Sequence, residues 1–302
     1  PPPGAAMSFS ARGLVSATAA VIAAVCTSPA ATLAAPPEDA IDHLPGYGRP
    51  PTPMFSGYLD ASDGCTAANG PECKLHYWLA MSDDERYRGD PDHDADAPRP
   101  TVLWLNGGPG SSSLYGFLQE LGPLLMNATG GLMANPWAWT KANVHLLVLE
   151  SPMGVGFSYC SRMLDAGEPC INTDTTTAAT SRAAMVDFFA RKFPELQGGG
   201  FYIAGESYAG VYVPTLAREL LTDEAALEHV PLRGVLVGDP CTDGAAQADS
   251  MDPLWYAHKY GLVDDEVFDA LGSAECADYR SRATRHLTRT EAGPRTEHGR
   301  SR

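Results

Sequence analysis

The apolar positions of the chain gather into short runs that stop abruptly. TVLWLNGG from Thr101, VHLLVLESP from Val144, FYIAGES from Phe201 and LRGVLVGDP from Leu232 are near-continuously apolar and end in small or polar residues. Runs of this length without alternation predict strands buried on both faces, as in a parallel sheet covered by helices. The intervening segments have the other period. Thr175 to Phe193 places Ala179, Ala183, Val186, Phe189 and Ala190 at helical spacing, and Tyr208 to Leu221 does the same with Val211, Leu216 and Leu220. Strands alternating with helices predict a doubly wound α/β fold with a mostly parallel central sheet. Ahead of it, MFSGYLDA near Phe55 and KLHYWLAM from Lys74 alternate and are rich in aromatics, which predicts an antiparallel pair with an insertion around Gly64 to Pro71. The Pro-rich Leu44 to Pro53 reads as a lead-in, and the acidic stretch Asp83 to Asp96 as a solvated loop.

The first residues follow a different logic. Arg12, then LVSATAAVIAAV from Leu14 to Val25, then small residues to Ala34 and Ala35 have the layout of a secretory signal, with removal expected near Ala34 or Ala35 and no membrane anchor left afterwards. PPPGAA ahead of Met7 suggests a fragment or a misplaced start. Removing Cys26 with the signal leaves Cys65, Cys73, Cys160, Cys170, Cys241 and Cys276, an even number that reads as disulfides in an oxidising compartment, with free thiols as the alternative. Six cysteines allow about fifteen pairings. The sequence-local pairs, Cys65 with Cys73 and Cys160 with Cys170, are preferred because each closes a short polar loop. Asn127-Ala128-Thr129 is a sequon that this compartment would expose to glycosylation. A net charge of −16 argues against nucleic acid and anionic membrane surfaces as partners, since both need a basic face. The segment from Arg280 to Arg302 reverses the trend, with seven Arg against two Glu and almost no apolar periodicity, and reads as a disordered tail.

In an α/β fold of this kind ligands collect at the carboxyl ends of the strands, so the residues closing the apolar runs carry the chemical interest. FYIAGESYAG puts Ser207 where a strand gives way to a helix. A serine there can be held with its hydroxyl exposed and the first N–H groups of the helix behind it, provided that small residues stand two before and two after. Gly205 and Ala209 meet that need, although Ala209 departs from the G-x-S-x-G pattern. A plain helix-capping serine is the competing reading.

GESYAG, taken with WLNGGPGSSS (Trp104 to Ser113), ELGP (Glu120 to Pro123), NPWAWTKANVHLLVLESPMGVGFSY (Asn135 to Tyr159) and FYIAGESYAGVYVPTLA, resembles the serine carboxypeptidase family, the cathepsin A-like members of the α/β-hydrolase superfamily. The resemblance runs from about Phe55 to about Leu271. It implies an α/β-hydrolase fold that releases C-terminal residues from peptides through an acyl-serine intermediate, without metal or cofactor. It implies Ser207 as nucleophile, the backbone N–H groups of Gly108 and Tyr208 as oxyanion hole, and Asn106, Glu120 and Glu206 as the group that holds the substrate's terminal carboxylate. Two carboxyl groups receive a third only if protons are shared among them, so an acidic optimum is expected. The implied organisation is a signal with upstream residues over 1–35, a hydrolase core over 36–250, the opening of a helical cap insertion over 251–279, and the basic tail over 280–302.

Two departures matter. Ser111 stands where the family usually has Cys in GPGCSS, so a disulfide to that loop is missing. The triad's Asp and His, which follow Ser in that order in this fold, belong to downstream Gly-Asp and Gly-His-Met loops that are not found in the chain. Asp239, His258, His286 and His298 are not assigned to those roles. Two alternatives accompany the peptidase reading. One is an acyltransferase using sugar esters, against which Glu206 argues because such relatives commonly replace it. The other is an inactive binding protein that retains the carboxylate pocket.

Overall fold

In a computed structural model of the protein, the residues described are 35–83, 97–243, 247 and 253–271. The segment read as a signal, apart from Ala35, most of the acidic stretch and the basic segment 280–302 lie outside them. The chain enters through a short turn over Pro37–Asp39 into β1 (Met54–Asp60), which pairs antiparallel with β2 (Cys73–Ala80) in unbroken register from Met54 opposite Ala80 to Asp60 opposite Lys74. β3 (Thr101–Leu105), α1 (Leu114–Gln119), the hairpin of β4 (Leu124–Met126) and β5 (Leu132–Ala134), and β6 (His145–Leu149) follow. Then come β7 (Tyr159–Cys160), α2 (Ser161–Ala166), α3 (Asp174–Asp187), β8 (Phe201–Glu206), α4 (Ala209–Thr222), α5 (Glu224–His229) and β9 (Leu232–Gly238).

The central sheet runs in the order β1-β2-β6-β3-β8-β9, with β7 also paired to β2. β6, β3, β8 and β9 are mutually parallel, and β1, β2 and β7 join antiparallel. The antiparallel pair and the four-stranded parallel part are those the patterning predicts. Alternate side chains of each strand point to opposite faces, and here both faces are covered. Leu103, Leu105, Leu147, Leu149 and Ile203 pack against Met185, Tyr212, Val213 and Leu216 of α3 and α4. Val102, Trp104, Leu146, Val148 and Ala204 pack against Phe117 and Leu121 at the α1 side. Two covered faces explain why β3 and β6 read as continuous apolar runs and not as alternating ones.

The helix expected over Thr175 to Phe193 is present with one change of geometry. Thr173 caps α3 through a reciprocal pair with Thr176, a device contributing about 1 kcal/mol. Phe188–Lys192 continues it as a π-turn, closed by the Phe193 N–H to Phe188 C=O bond of 2.8 Å. That turn brings Phe188, Phe189 and Phe193 into one buried aromatic group with Tyr77 and Phe201. Both preferred disulfides, Cys65–Cys73 and Cys160–Cys170, are formed. They staple the Gly64 to Pro71 insertion to β2 and the start of α2 to its own following loop.

The expectation that LRGVLVGDP is buried on both faces needs correction. β9 has only half-buried and exposed positions, and the consecutive Val235 and Leu236 stand 49% and 55% exposed. Its pairing to β8 covers one edge; among the described residues no strand pairs with the other.

Candidate active site

Ser207 follows β8 directly, and its backbone sits at φ 58, the left-handed region that a side-chain-bearing residue adopts at a cost of about 1–3 kcal/mol. Three main-chain bonds hold it there. Its N–H donates to Gly238 C=O at 3.0 Å, and its C=O accepts from Gly210 N–H at 2.9 Å and from Cys241 N–H at 2.8 Å. α4 begins at Ala209, with Tyr208 in the cap position and no side-chain cap bond. The Ser207 hydroxyl is therefore not used for capping, and the side chain is exposed.

The small residues flanking it are needed for close approach. A Cβ on Gly205 would lie 2.5 Å from both Ala209 Cβ and Leu105 O, so β8, α4 and β3 meet there without room for a methyl. A Cβ on Gly107 would lie 2.5 Å from Tyr208 N and 2.9 Å from Ser207 Cβ. The Gly107 to Ser113 loop after β3 thus lies directly against the turn that carries Ser207. Among the described residues, neither the Gly108 nor the Tyr208 N–H has an intramolecular acceptor. Unpaired backbone donors are the kind of group that can stabilise a developing oxyanion.

Asn106, the residue closing β3, is 3% exposed and fixed on both sides of its amide. Its Oδ1 accepts from Trp104 Nε1 at 3.0 Å and from Gly116 N–H at 3.1 Å, which leaves Nδ2 to donate to Glu206 Oε1 at 2.9 Å. Glu120 terminates α1, and the ELGP turn that carries it is held by Asn135, whose Nδ2 donates to Glu120 C=O at 3.3 Å and Gly122 C=O at 2.8 Å. Partial desolvation, and then the charge on neighbouring Glu206, raise the Glu120 carboxyl above the usual glutamate range against a hydrogen bond from Asn106. Asn106, Glu206 and Glu120 are thus brought together from three separate segments. A cleft of about 510 Å³ opens beside Glu206, walled by Trp104, Trp139, Val237 and Asp239.

Several residues of this neighbourhood escaped the sequence reading. Glu150 closes β6 fully buried, with His76 Nδ1 at 3.0 Å and the Phe157 N–H donating at 2.8 Å. Tyr212 Oη accepts the Gly110 N–H at 3.2 Å, and Asp174 accepts the Tyr208 hydroxyl at 2.9 Å. Glu150 carried a usable signal, since it ends an apolar run as Asn106 and Glu206 do; Tyr212 and Asp174 carried none, because only the fold brings them near.

The residues not assigned to the triad have other surroundings. Among the described residues no histidine hydrogen-bonds the Ser207 hydroxyl. His258 is engaged with Asp265 at 2.7 Å and stacks on Phe268. Asp239 takes a left-handed backbone at φ 47 at the edge of the cleft. His286 and His298 lie outside the described residues.

Comparison with known proteins shows the family. A family model described as serine carboxypeptidase matches residues 45–297. The mouse lysosomal protective protein is 38% identical over 247 residues, which is 81% of this chain and 45% of that protein. A serine carboxypeptidase of Caenorhabditis elegans, ctsa-4.1, is 38% identical over 247 residues, 81% of this chain and 46% of its own length. Barley serine carboxypeptidase 1 is 35% identical over 255 residues, 82% and 46% of the two chains. The chain therefore spans less than half the length of these curated relatives. Among solved structures, a prohormone-processing carboxypeptidase of Saccharomyces cerevisiae superposes with a TM-score of 0.56 at 23% identity, over 81% of this chain and 54% of that one, which establishes a shared fold. On this evidence the chain belongs to the serine carboxypeptidase family and is built on the α/β-hydrolase fold.

Proposed function

We propose that this protein is a serine-type carboxypeptidase that removes C-terminal residues from peptides. The observation that carries the reading is the group of Asn106, Glu206 and a Glu120 carboxyl with raised affinity for its proton, set beside an exposed Ser207 in a left-handed turn. Ser207 is the nucleophile, and the N–H groups of Gly108 and Tyr208 receive the oxyanion that forms when Ser207 Oγ adds to the scissile carbonyl. The amine then departs with a proton, leaving an acyl-serine that water hydrolyses. In that sequence the family's downstream His would take the Ser207 proton and pass it to the departing amine, the downstream Asp would orient the imidazole, and neither role is given to a residue numbered here. The roles of residues 36–250 as core and 251–279 as the opening of a cap belong to the same reading, as does a secretory route ending outside the cell or in an acidic lysosomal or vacuolar lumen.

The carboxylate group explains why a free C-terminus is recognised. The substrate's carboxylate meets Glu120 and Glu206, and repulsion is removed when a proton bridges them. Because the Glu120 proton is held above the usual range, binding should be strong on the acid side and weaken as pH rises through the Glu120 titration. Calorimetry of a short peptide and its C-terminal amide tests this. The free acid should bind at least about tenfold more tightly at acid pH, a difference of about 1.4 kcal/mol, and the advantage should vanish toward neutrality. Equal affinity for acid and amide rejects the reading. Reaction of Ser207 with a fluorophosphonate in the longest natural product of the gene then separates enzyme from binding protein: labelling lost in Ser207→Ala supports turnover, and carboxylate binding without labelling points to an inactive binding protein. Glu206 argues against the sugar-ester acyltransferase alternative.

A further inference from the structure

The oxyanion loop has to hold the Gly108 N–H in place, yet it carries four glycine or proline positions in a row and its own side chains are small. What fixes it is visible in its hydrogen bonds. Ser113 Oγ accepts the Asn106 N–H at 3.2 Å, and Tyr212 Oη accepts the Gly110 N–H at 3.2 Å. Between these ties, Ser112 Oγ accepts the Leu114 N–H at 3.2 Å and donates its own proton to Glu150 Oε1. Glu150 is 1% exposed, and its other oxygen takes the Phe157 N–H at 2.8 Å and faces His76 Nδ1 at 3.0 Å. His76 Nε2 in turn lies 2.8 Å from Ser56 Oγ. Gly156 closes over the carboxylate from the other side: it sits at φ 56, and a Cβ there would fall 1.9 Å from Glu150 Oε1.

One buried carboxylate therefore ties together β2, the loop before β7 and the loop that carries the oxyanion donor. We infer that Glu150 is a positioning residue of the proposed carboxypeptidase reaction, holding the Gly108 N–H in register with the Ser207 turn through the hydroxyl of Ser112; the inference rests on the carboxypeptidase reading. Glu150 touches no substrate. Its charge matters because a hydroxyl bond to a carboxylate is shorter and about twice as strong as one to a neutral acceptor, and because an oxyanion donor must be held within about 0.5 Å of its productive position. His76, with Ser56 behind it, fixes the carboxylate as the carboxylate fixes Ser112.

Hydrogen exchange of the 107–113 segment reads the loop itself, whether or not Ser207 turns substrate over. In Glu150→Gln and in Ser112→Ala, exchange of that segment should quicken about tenfold or more while β3 and β8 keep their protection, and Ser112→Thr, which retains the hydroxyl, should restore it. Ser112→Ala leaves Glu150 with its His76 and Phe157 partners, so it remains informative if Glu150→Gln does not fold. In the longest natural product of the gene, kcat for a peptide should fall about 10- to 100-fold in Ser112→Ala, short of the 10²- to 10³-fold loss of a whole oxyanion donor, with KM within about twofold because Asn106, Glu206 and Glu120 are untouched. Unchanged exchange in both variants, or a change in KM alone, overturns the inference. A wild-type protein that binds no peptide carboxylate overturns the carboxypeptidase reading instead, and is distinguished from the former by its exchange pattern.

Discussion

Ser207 shows how much a single residue owes to its neighbours. Its left-handed backbone is maintained by Gly238, Gly210 and Cys241, and room for the turn exists only because Gly205 and Gly107 carry no side chain. Gly107→Ala would drive a methyl to 2.5 Å from the Tyr208 nitrogen, against backbone that has nowhere to move. We expect it to abolish fluorophosphonate reaction at Ser207 while lowering the melting temperature by only a few degrees, equivalent to about 1–3 kcal/mol; retained reactivity would show that the loop tolerates displacement. On the carboxypeptidase reading, Glu120→Gln should flatten the pH dependence of peptide-acid affinity, since the amide donates at every pH and has no proton to titrate, and an unaltered pH profile in titration calorimetry would remove Glu120 from the binding group. For Glu150 the sign is opposite. Burial alone would raise its carboxyl, but hydrogen bonds from His76, Phe157 and Ser112 outweigh that and hold it below the usual range. A depressed carboxyl contributes stability above the unfolded-state glutamate value, and that contribution is lost as pH falls through the folded-state value. Wild type should thus exceed Glu150→Gln by about 1.5–3 kcal/mol near neutrality, with denaturation curves converging in strong acid; a pH-independent gap would argue that the charge plays no part.

At the scale of elements, the strands and the two long helices could be read from the chain because their periodicity is set locally. Thr101–Leu105 and His145–Leu149 are buried throughout, as continuous apolar runs require. The shorter pieces could not be read. α1 has six residues and follows a glycine-rich loop, and the β4–β5 hairpin has three-residue strands, too short to show any period. The π-turn at Phe188–Lys192 is likewise a tertiary choice, made so that Phe188, Phe189 and Phe193 share one buried space. Phe188→Ala should cost about 3–5 kcal/mol in chemical denaturation, and a loss below 1 kcal/mol would mean that the aromatic group relaxes around the gap. The Cys65–Cys73 bridge spans eight residues, for which loop-closure entropy gives about 2.5 kcal/mol. A paired Cys65→Ala, Cys73→Ala variant should lose about that much stability.

Over the whole molecule, the described residues cover both faces of β3 and β6 and leave β9 exposed. β9 exposes Val235 and Leu236 on a strand with one paired edge among the described residues, and exposed strand edges pair readily with other chains. Substituting Leu236 with Glu should therefore reduce self-association of the 302-residue chain in sedimentation without lowering its melting temperature. The amino-acid sequence by itself determined the parallel sheet, the antiparallel pair, both local disulfides and the identity of Ser207, Asn106 and Glu206 as strand-closing polar residues, because local periodicity and strand-end chemistry are written along the chain. Only the tertiary structure decided that Gly107 abuts the Ser207 turn, that Asn106 turns its amide onto Glu206, and that Glu150, just after β6, reaches Ser112 on the loop after β3. Those contacts join residues roughly 40 to 100 positions apart, and their geometry follows from the order in which parallel strands are laid side by side, which no local pattern encodes.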